Sequence, residues 1–500
     1  MESVSVAADD AAQRRLEELG YTQQLRRRLH VWHVVGLAMA DVSPTMAVVF
    51  LTAGVFLIGG TFAVGANIIL GVVVVLIALC LAELATMYPI AGGMYSLVRR
   101  VLPGPISWIT MFNYLIQGIV IPASIALGVA GFLKDLIPGL DISTDLLALI
   151  TLAIATGIAL TRVEVGAWVT ITMVVVELVV LGIITVAALA HPHQNLGDVV
   201  FHPQVLDGKT LEAIGFAAIL ATIAPAFNVI NGYDASLGFS EELKGGERAV
   251  AKAVIISAIL AAAFIIVPLT ASVVAAPNVN DFLSSDAPVV YSVDQSLGSA
   301  AKDIVDLGAS VALFNAMLSL LMYFGRGFYT TGRDGVWPFH ISRWLASLNR
   351  FRVPAVGVLT LAIPAAVLIF MSALDFLIIF AGTVIAAVYF CIGLSALWSR
   401  ISQPEVRRPY RMPLWPLPPL VVVAFTGIAL AKQEGKYIVA ELILAGAAVA
   451  LWALSRLWTR EAREEVIAQT HAITGVAAVE PDIEIPHLQA PHLGHSQEGS

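Results

Sequence analysis

Two short polar runs interrupt long apolar stretches of this chain, and each sets a carboxylate among neutral hydrogen-bonding groups. The first, Asp41-Val42-Ser43-Pro44-Thr45, lies in a stretch from about 33 to 58; the second, Asn228 to Asp234, lies in residues 211–240. Ser43, Thr45, Asn228, Asn231 and Tyr233 offer neutral hydrogen bonds, and Gly232 permits close backbone approach. Glu177 stands apart, with apolar neighbours from Ile171 to Val176 and from Leu178 to Leu181 and no basic residue nearby in sequence. Burial without a cation disfavours the charged form of a carboxyl, so Glu177 is expected to carry a proton. This chemistry is reversible binding of a small polar molecule. No Gly-rich phosphate loop, paired His-Glu metal signature or Ser-His-Asp set accompanies it, so neither an enzyme, a cofactor, a metal site nor drive by ATP hydrolysis is expected.

The elements that must position these residues are membrane spans. Hydrophobic residues make up 58% of the 500 and charged residues 13%, about half the share of a soluble chain. With a mean hydropathy of +0.85, the composition implies a polytopic protein embedded in a lipid bilayer. A net charge of -8 and the absence of a basic stripe argue against nucleic acid as a partner. Cys80 and Cys391 both fall in apolar stretches, where packing is the ordinary role and no redox compartment is implied. The first twenty residues lack a basic start followed by an apolar run, so insertion is expected to begin at the first span.

Hydropathy places twelve spans, near 31–58, 65–87, 106–133, 146–161, 165–190, 211–240, 250–275, 303–326, 353–371, 375–398, 414–431 and 437–458. With a cytoplasmic N-terminus, 23 of the 28 Lys and Arg residues fall inside; Lys134, Lys209, Lys302, Lys432 and Lys436 fall outside. The positive-inside rule therefore predicts both termini and the loop from Arg326 to Arg352 to be cytoplasmic and the loop from Ala276 to Ala301 external; the plasma membrane is the expected location.

The breaks sit in spans one and six. Five spans apart is an odd number, so two blocks of five would have opposite orientations, as an inverted repeat requires. The expected fold is all-α: a cytoplasmic segment (1–30), a first repeat (31–190), a second, inverted repeat (211–398), two accessory helices (413–458) and a disordered cytoplasmic tail (459–500). Residue-level similarity between the blocks is absent, so the repeat rests on the matching breaks. The half-helix beginning near Thr45 or Met46 should aim N-terminal amides at the midplane, where a substrate carboxylate could sit. The preceding halves, ending near Ala40 and Phe227, should expose carbonyls suited to an ammonium group. Substrate contacts are thus expected from Asp41, Val42, Ser43, Pro44, Thr45, Met46, Phe227, Asn228, Asn231, Gly232, Tyr233 and Asp234. The alternative is that Pro44 and Gly232 only kink packed helices.

Several runs resemble permeases of the amino acid, polyamine and organocation superfamily, in particular bacterial and fungal amino acid and GABA permeases. LEELGYTQQLRRRL precedes the first span, AELATMYPIAGGMY (Ala82 to Tyr95) ends the second, FSEELK follows the second break, and RGFYTTGRDGVWP follows span eight. The resemblance covers about 16 to 410 and implies a ten-helix core, alternating access and substrate held between the broken helices. Sodium-independent relatives often carry a lysine in span five where this chain has Glu177, counting ten residues from Ala167. That departure leaves proton coupling through Glu177, or a cation held by it, as readings beside a structural, protonated glutamate.

Asp41 and Asp234 would favour a cationic amine or basic amino acid if they face the cavity; either could instead cap the half-helix that follows it. Glu83, Glu241 and Glu242, near cytoplasmic span ends, are expected to pair with loop arginines. Tyr114 and Gln117 on span three and Asn315 and Ser319 on span eight are candidate cavity residues, or polar glue between helices. The tail histidines His471, His487, His492 and His495 are read as part of a disordered tail rather than a metal site. Together these readings predict a secondary transporter importing an amino acid or amine with a proton. A substrate/product exchanger is the alternative in the same class, and a nutrient sensor without net transport is the alternative from another.

Overall fold

The computed structural model describes residues 29–455 apart from 91, 138, 162, 209 and 241, and apart from the side chains of 163–171, 188, 189 and 339. Residues 1–28, Glu241, the side chain of Ala167 and the histidine tail therefore lie outside the described residues. Among those described, eight helices are long and apolar enough to cross a membrane. They are α1 (Val31–Gly59), α2 (Phe62–Met87), α3 (Gly104–Leu136), α6 (Phe216–Phe239), α7 (Glu247–Val274), α8 (Ser299–Arg333), α10 (Leu374–Ser402) and α12 (Gly435–Ser455). Four further apolar helices complete the order: α4 (Thr144–Ala159), α5 (Val163–Ala190, of which Thr172–Ala187 is the apolar stretch with described side chains), α9 (Ala355–Met371) and α11 (Leu417–Ala431).

Hydrocarbon satisfies no backbone amide, so the apolar runs close their hydrogen bonds within helices. Each helix then sorts its faces. On α5, Glu177, Val180, Leu181, Ile184 and Ala187 are buried at helical spacing, whereas Val175, Leu178, Val179 and Val186 are exposed. Exposed Leu57, Val72, Ile154, Val267, Ile363 and Leu442 extend that apolar outer surface around the bundle, as a lipid-facing belt requires.

Both predicted breaks are present. The first half of α1 ends at Val42, and Ser43 adopts a left-handed backbone (φ 42°) before Pro44 starts a new helical segment that passes through a π-turn at Ala47–Leu51. A left-handed serine costs roughly 1–3 kcal/mol unless its surroundings hold it there. The first half of α6 ends at Val229, and Gly232 (φ 96°) turns the chain into a 3₁₀ helix over Tyr233–Phe239.

Three boundaries differ from expectation. α8 runs on to Arg333, so Arg326 and Arg333 lie on a helix and not in the loop that follows. The segment between α5 and α6, for which no element was expected, contains a short helix (Leu196–Phe201) and an antiparallel hairpin of β1 (Gln204–Asp207) and β2 (Thr210–Ala213), with Asp207 opposite Thr210. The loop from Ala276 to Ala301 contains helices Val279–Ser284 and Pro288–Leu297, and Phe282 packs edge-on against Phe56 at the end of α1. These elements are too short to span a bilayer, so a span-length hydropathy reading does not report them.

At the opposite end of the bundle, Glu83 of α2 is fully buried. Its Oε1 accepts from Arg400 Nε (2.8 Å) and its Oε2 from Arg400 Nη2 and the Met412 amide (both 2.7 Å), while the Arg408 guanidinium lies 3.3 Å away. The expected pairing with arginines thus joins α2 to α10 and to the chain that follows it. Removing one partner of a buried pair leaves the other charge uncompensated, at a cost of about 3–5 kcal/mol. Glu83→Gln should lower unfolding stability in detergent by that amount; a loss under about 1 kcal/mol would show that the arginines are not held by this carboxylate. Glu242 pairs more loosely with Arg326, at 3.7 Å.

Candidate functional site

The two breaks lie against each other. A Cβ added at Gly232 would come within 2.8 Å of the Val42 nitrogen and 2.9–3.0 Å of the Asp41 carbonyl group, so only glycine lets the α6 turn rest on the α1 turn. Beside this contact is a narrow cavity with room for about one water, lined by Asp41, Val42, Met46 and Leu51 of α1, Asn228 and Asn231 of α6, Ile121 of α3 and Leu320 of α8.

α8 packs against the breaks and α5 through one helical stripe. Ala312, Asn315, Ser319 and Tyr323 are three or four residues apart, the spacing that puts side chains on one face. Each meets a group at a break or on α5. Ser43 Oγ donates to the Ala312 carbonyl (3.2 Å), Asn315 Nδ2 to Glu177 Oε1 (3.0 Å), Ser319 Oγ to Asp41 Oδ1 (3.2 Å) and Tyr323 OH to Asp234 Oδ2 (3.5 Å).

Glu177 is the junction between α5 and the first break. Its Oε2 accepts from Ser43 Oγ (2.8 Å), and its main-chain oxygen accepts from Thr45 Oγ1 (2.9 Å). The left-handed Ser43 is therefore held by hydrogen bonds to two helices, and the carboxyl meets only neutral donors. Ser43 and Thr45, expected at the substrate, turn their hydroxyls toward α5 and α8 instead.

The two aspartates diverge as well. Asp41 lines the cavity, whereas Asp234 is enclosed by Tyr323, Tyr389 and the Gly232 amide, at the start of the second half of α6. Asn228 faces the cavity while its Nδ2 donates to the Ile378 carbonyl (3.1 Å), and Asn231 accepts from Tyr389 OH (2.9 Å). Tyr233 stacks on Tyr389, and Phe227 packs against Tyr389 and Phe425. Pro44, the first residue of its half-helix, is also buried.

Of the four candidate lining residues, Asn315 and Ser319 join the site through their hydrogen bonds. Tyr114 packs among Tyr95, Tyr323 and Phe324, and Gln117 donates to the Asn113 carbonyl on its own helix (3.2 Å). Sequence reasoning missed Leu51, Ile121, Leu320, Tyr323 and Tyr389. Tyr323 carried a signal, four residues after Ser319; the aliphatic residues carried none, since every span is rich in them. It also missed Glu441 of α12, whose Oε1 accepts from Asn113 Nδ2 of α3 (2.8 Å), away from the breaks.

A bundle of membrane-length helices whose first and sixth members unwind side by side at a cavity is the architecture of a membrane transporter. Residues 29–440 match the amino acid permease family, and the chain belongs to that family. It is similar to the branched-chain amino acid permease BcaP of Lactococcus lactis, 25% identical over 362 residues that cover 69% of this chain and 76% of the relative. The branched-chain amino acid permease BcaP of Bacillus subtilis is 23% identical over 370 residues, covering 70% and 76%. Cationic amino acid transporter 4 of Mus musculus is 28% identical over 358 residues, or 66% of this chain and 53% of that longer relative.

Proposed function

We propose that this permease imports an amino acid or related amine together with a proton, by alternating access around the two breaks. The observation that carries the coupling is Glu177, a membrane-embedded carboxyl whose side-chain partners are the neutral groups of Ser43 and Asn315. Through Ser43 it touches the unwound part of α1, so a change in its charge must be felt where substrate binds. The relatives transport, by their names, branched-chain or cationic amino acids, which sets the substrate range to be screened. Purified protein in liposomes with an inward proton gradient should accumulate labelled substrate. Exchange of internal for external substrate without net accumulation would favour an exchanger, and ligand binding without any flux would leave only a sensor.

In this reading the blocks α1–α5 and α6–α10 are inverted repeats, both termini are cytoplasmic and the membrane is the plasma membrane. Ser284 and Ser347 lie exposed in segments that the charge bias puts on opposite faces. Cysteines introduced there, with Cys80 and Cys391 replaced, should react with an impermeant thiol reagent from outside only and from inside only, respectively. Labelling of both from one face would overturn the topology.

A further inference from the structure

We propose that Glu441 of α12 and Asn113 of α3 form a proton-binding site outside the two breaks, where one proton closes an acid–amide pair that clasps the two helices together. Neither residue lines the cavity or bonds to Glu177 among the described hydrogen bonds, so this site is distinct from the one at the breaks.

Asn113 is buried, and its amide has a fixed orientation. Nδ2 lies against two acceptors, the Ile109 carbonyl one turn earlier (3.1 Å) and Glu441 Oε1 (2.8 Å), and has one hydrogen for each. Turning the amide over would set an oxygen against both. Asn113 Oδ1 is then left without a donor, and so is Glu441 Oε2; both atoms are buried, and no described residue donates to either. An ionised carboxylate offers only acceptors, so it can satisfy neither. One proton taken up from water onto Oε2 answers both. Oε2–H donates to Asn113 Oδ1 while Nδ2–H donates to Oε1, and the neutral acid and the amide close into a ring.

The surroundings of Glu441 offer no countercharge. α12 packs against α3 and α10. From α10 the group that acts with Glu441 is the Cys391 thiol, beside Thr110 of α3. The charged residues of those helices, Lys134 and Asp135 on α3 and Asp375 and Arg400 on α10, stand near helix ends, and α11 has none. Tyr114 turns instead to Tyr95 and Tyr323, and Tyr389 to Asn231. On α12 itself Tyr437 stacks on Phe376, and Lys436 is paired with Glu434 (3.0 Å). A carboxyl embedded among such groups keeps its proton more readily than an exposed one.

The clasp has mechanical weight because α12 has few other anchors. Tyr437 and Ala448 are its buried residues. α3 carries Ile121 of the cavity wall, and α10 carries Tyr389, the partner of Asn231 at the second break. A bound proton thus fastens an accessory helix to the helices that frame the site. On its release Oε2 and Oδ1 meet as two acceptors, and α12 loosens.

Infrared spectroscopy of the full-length protein in detergent reads the proton directly, because a protonated carboxyl has a C=O stretch that a carboxylate lacks. At about pH 6, where an exposed glutamate is ionised, Glu441→Gln should lose one such band, different from the band lost in Glu177→Gln. Asn113→Leu should shift or remove the Glu441 band, since its hydrogen-bond partner is gone. Thermal unfolding gives a second readout. The folded protein keeps a proton that the unfolded chain releases near about pH 4.3, so stability falls as pH rises from there until Glu441 itself ionises. Glu441→Gln should make that fall less steep, because the glutamine amide donates to Asn113 Oδ1 and closes the ring without a proton. No band lost in Glu441→Gln, or the same pH slope as in the unaltered protein, overturns the proton site. A Glu441 band unmoved in a folded Asn113→Leu means that water takes the proton's hydrogen bond, and overturns the clasp.

Discussion

Gly232→Val should abolish substrate binding while leaving a protein that inserts into the membrane. Two independent causes act at this residue. The backbone sits at φ 96°, a region that β-branched residues essentially do not occupy, and any Cβ would press on the Asp41-Val42 main chain at 2.8–3.0 Å. Main-chain atoms cannot yield as the end of a flexible side chain can, so the α6 turn must withdraw from the α1 turn and the cavity between them loses its shape. The rest of α6 is anchored elsewhere, through Asn228 to α10 and through Phe227 to Tyr389 and Phe425, so the damage is confined to the break. Gly232→Ala should show an intermediate loss, because it meets the same contact with less bulk. Binding by titration and yield of monodisperse protein in detergent are the two readouts. Normal binding by the valine variant would place the substrate away from this contact.

Glu177→Gln should separate transport from its driving force. The substitution fits the observed geometry. The glutamine oxygen can accept from Asn315 Nδ2 as Oε1 does, and its amide can donate to Ser43 Oγ, which keeps the Ala312 carbonyl as its own acceptor. Only the exchangeable proton is lost. A coupling carboxyl must change its charge between the inward- and outward-facing states, and the coupling free energy comes from that difference. The variant should therefore bind substrate and exchange it across the membrane, yet lose the extra accumulation produced by an inward proton gradient. Uptake into proteoliposomes with and without the gradient decides the matter: stimulation as large as in the unaltered protein would sink the proton-carrier role. If a sodium gradient alone drives uptake by the unaltered protein, Glu177 belongs to a cation site.

Much of this architecture was legible in the chain because a bilayer imposes local rules. A run of about twenty apolar residues needs no distant partner to be a span, and the basic residues around it suffice to predict its direction. The breaks were legible for the same reason: Pro44 and Gly232 act on their own backbone, so residues 41–45 and 228–234 marked the unwound segments from sequence alone. Glu177 stood out because a carboxyl in hydrocarbon is costly wherever its helix packs. What a side chain faces is different, since it depends on helices far away in sequence. Ser43 and Thr45 look like substrate ligands until α5 arrives 132–134 residues later and takes their hydroxyls. Asp41 and Asp234 occupy matching places in the two breaks, yet only packing turns one into the cavity and closes the other behind Tyr323 and Tyr389. The aliphatic wall of Leu51, Ile121 and Leu320 was invisible for a related reason: in a membrane protein an apolar residue facing lipid and one facing a ligand are the same residue, and only the helix rotation set by tertiary packing distinguishes them.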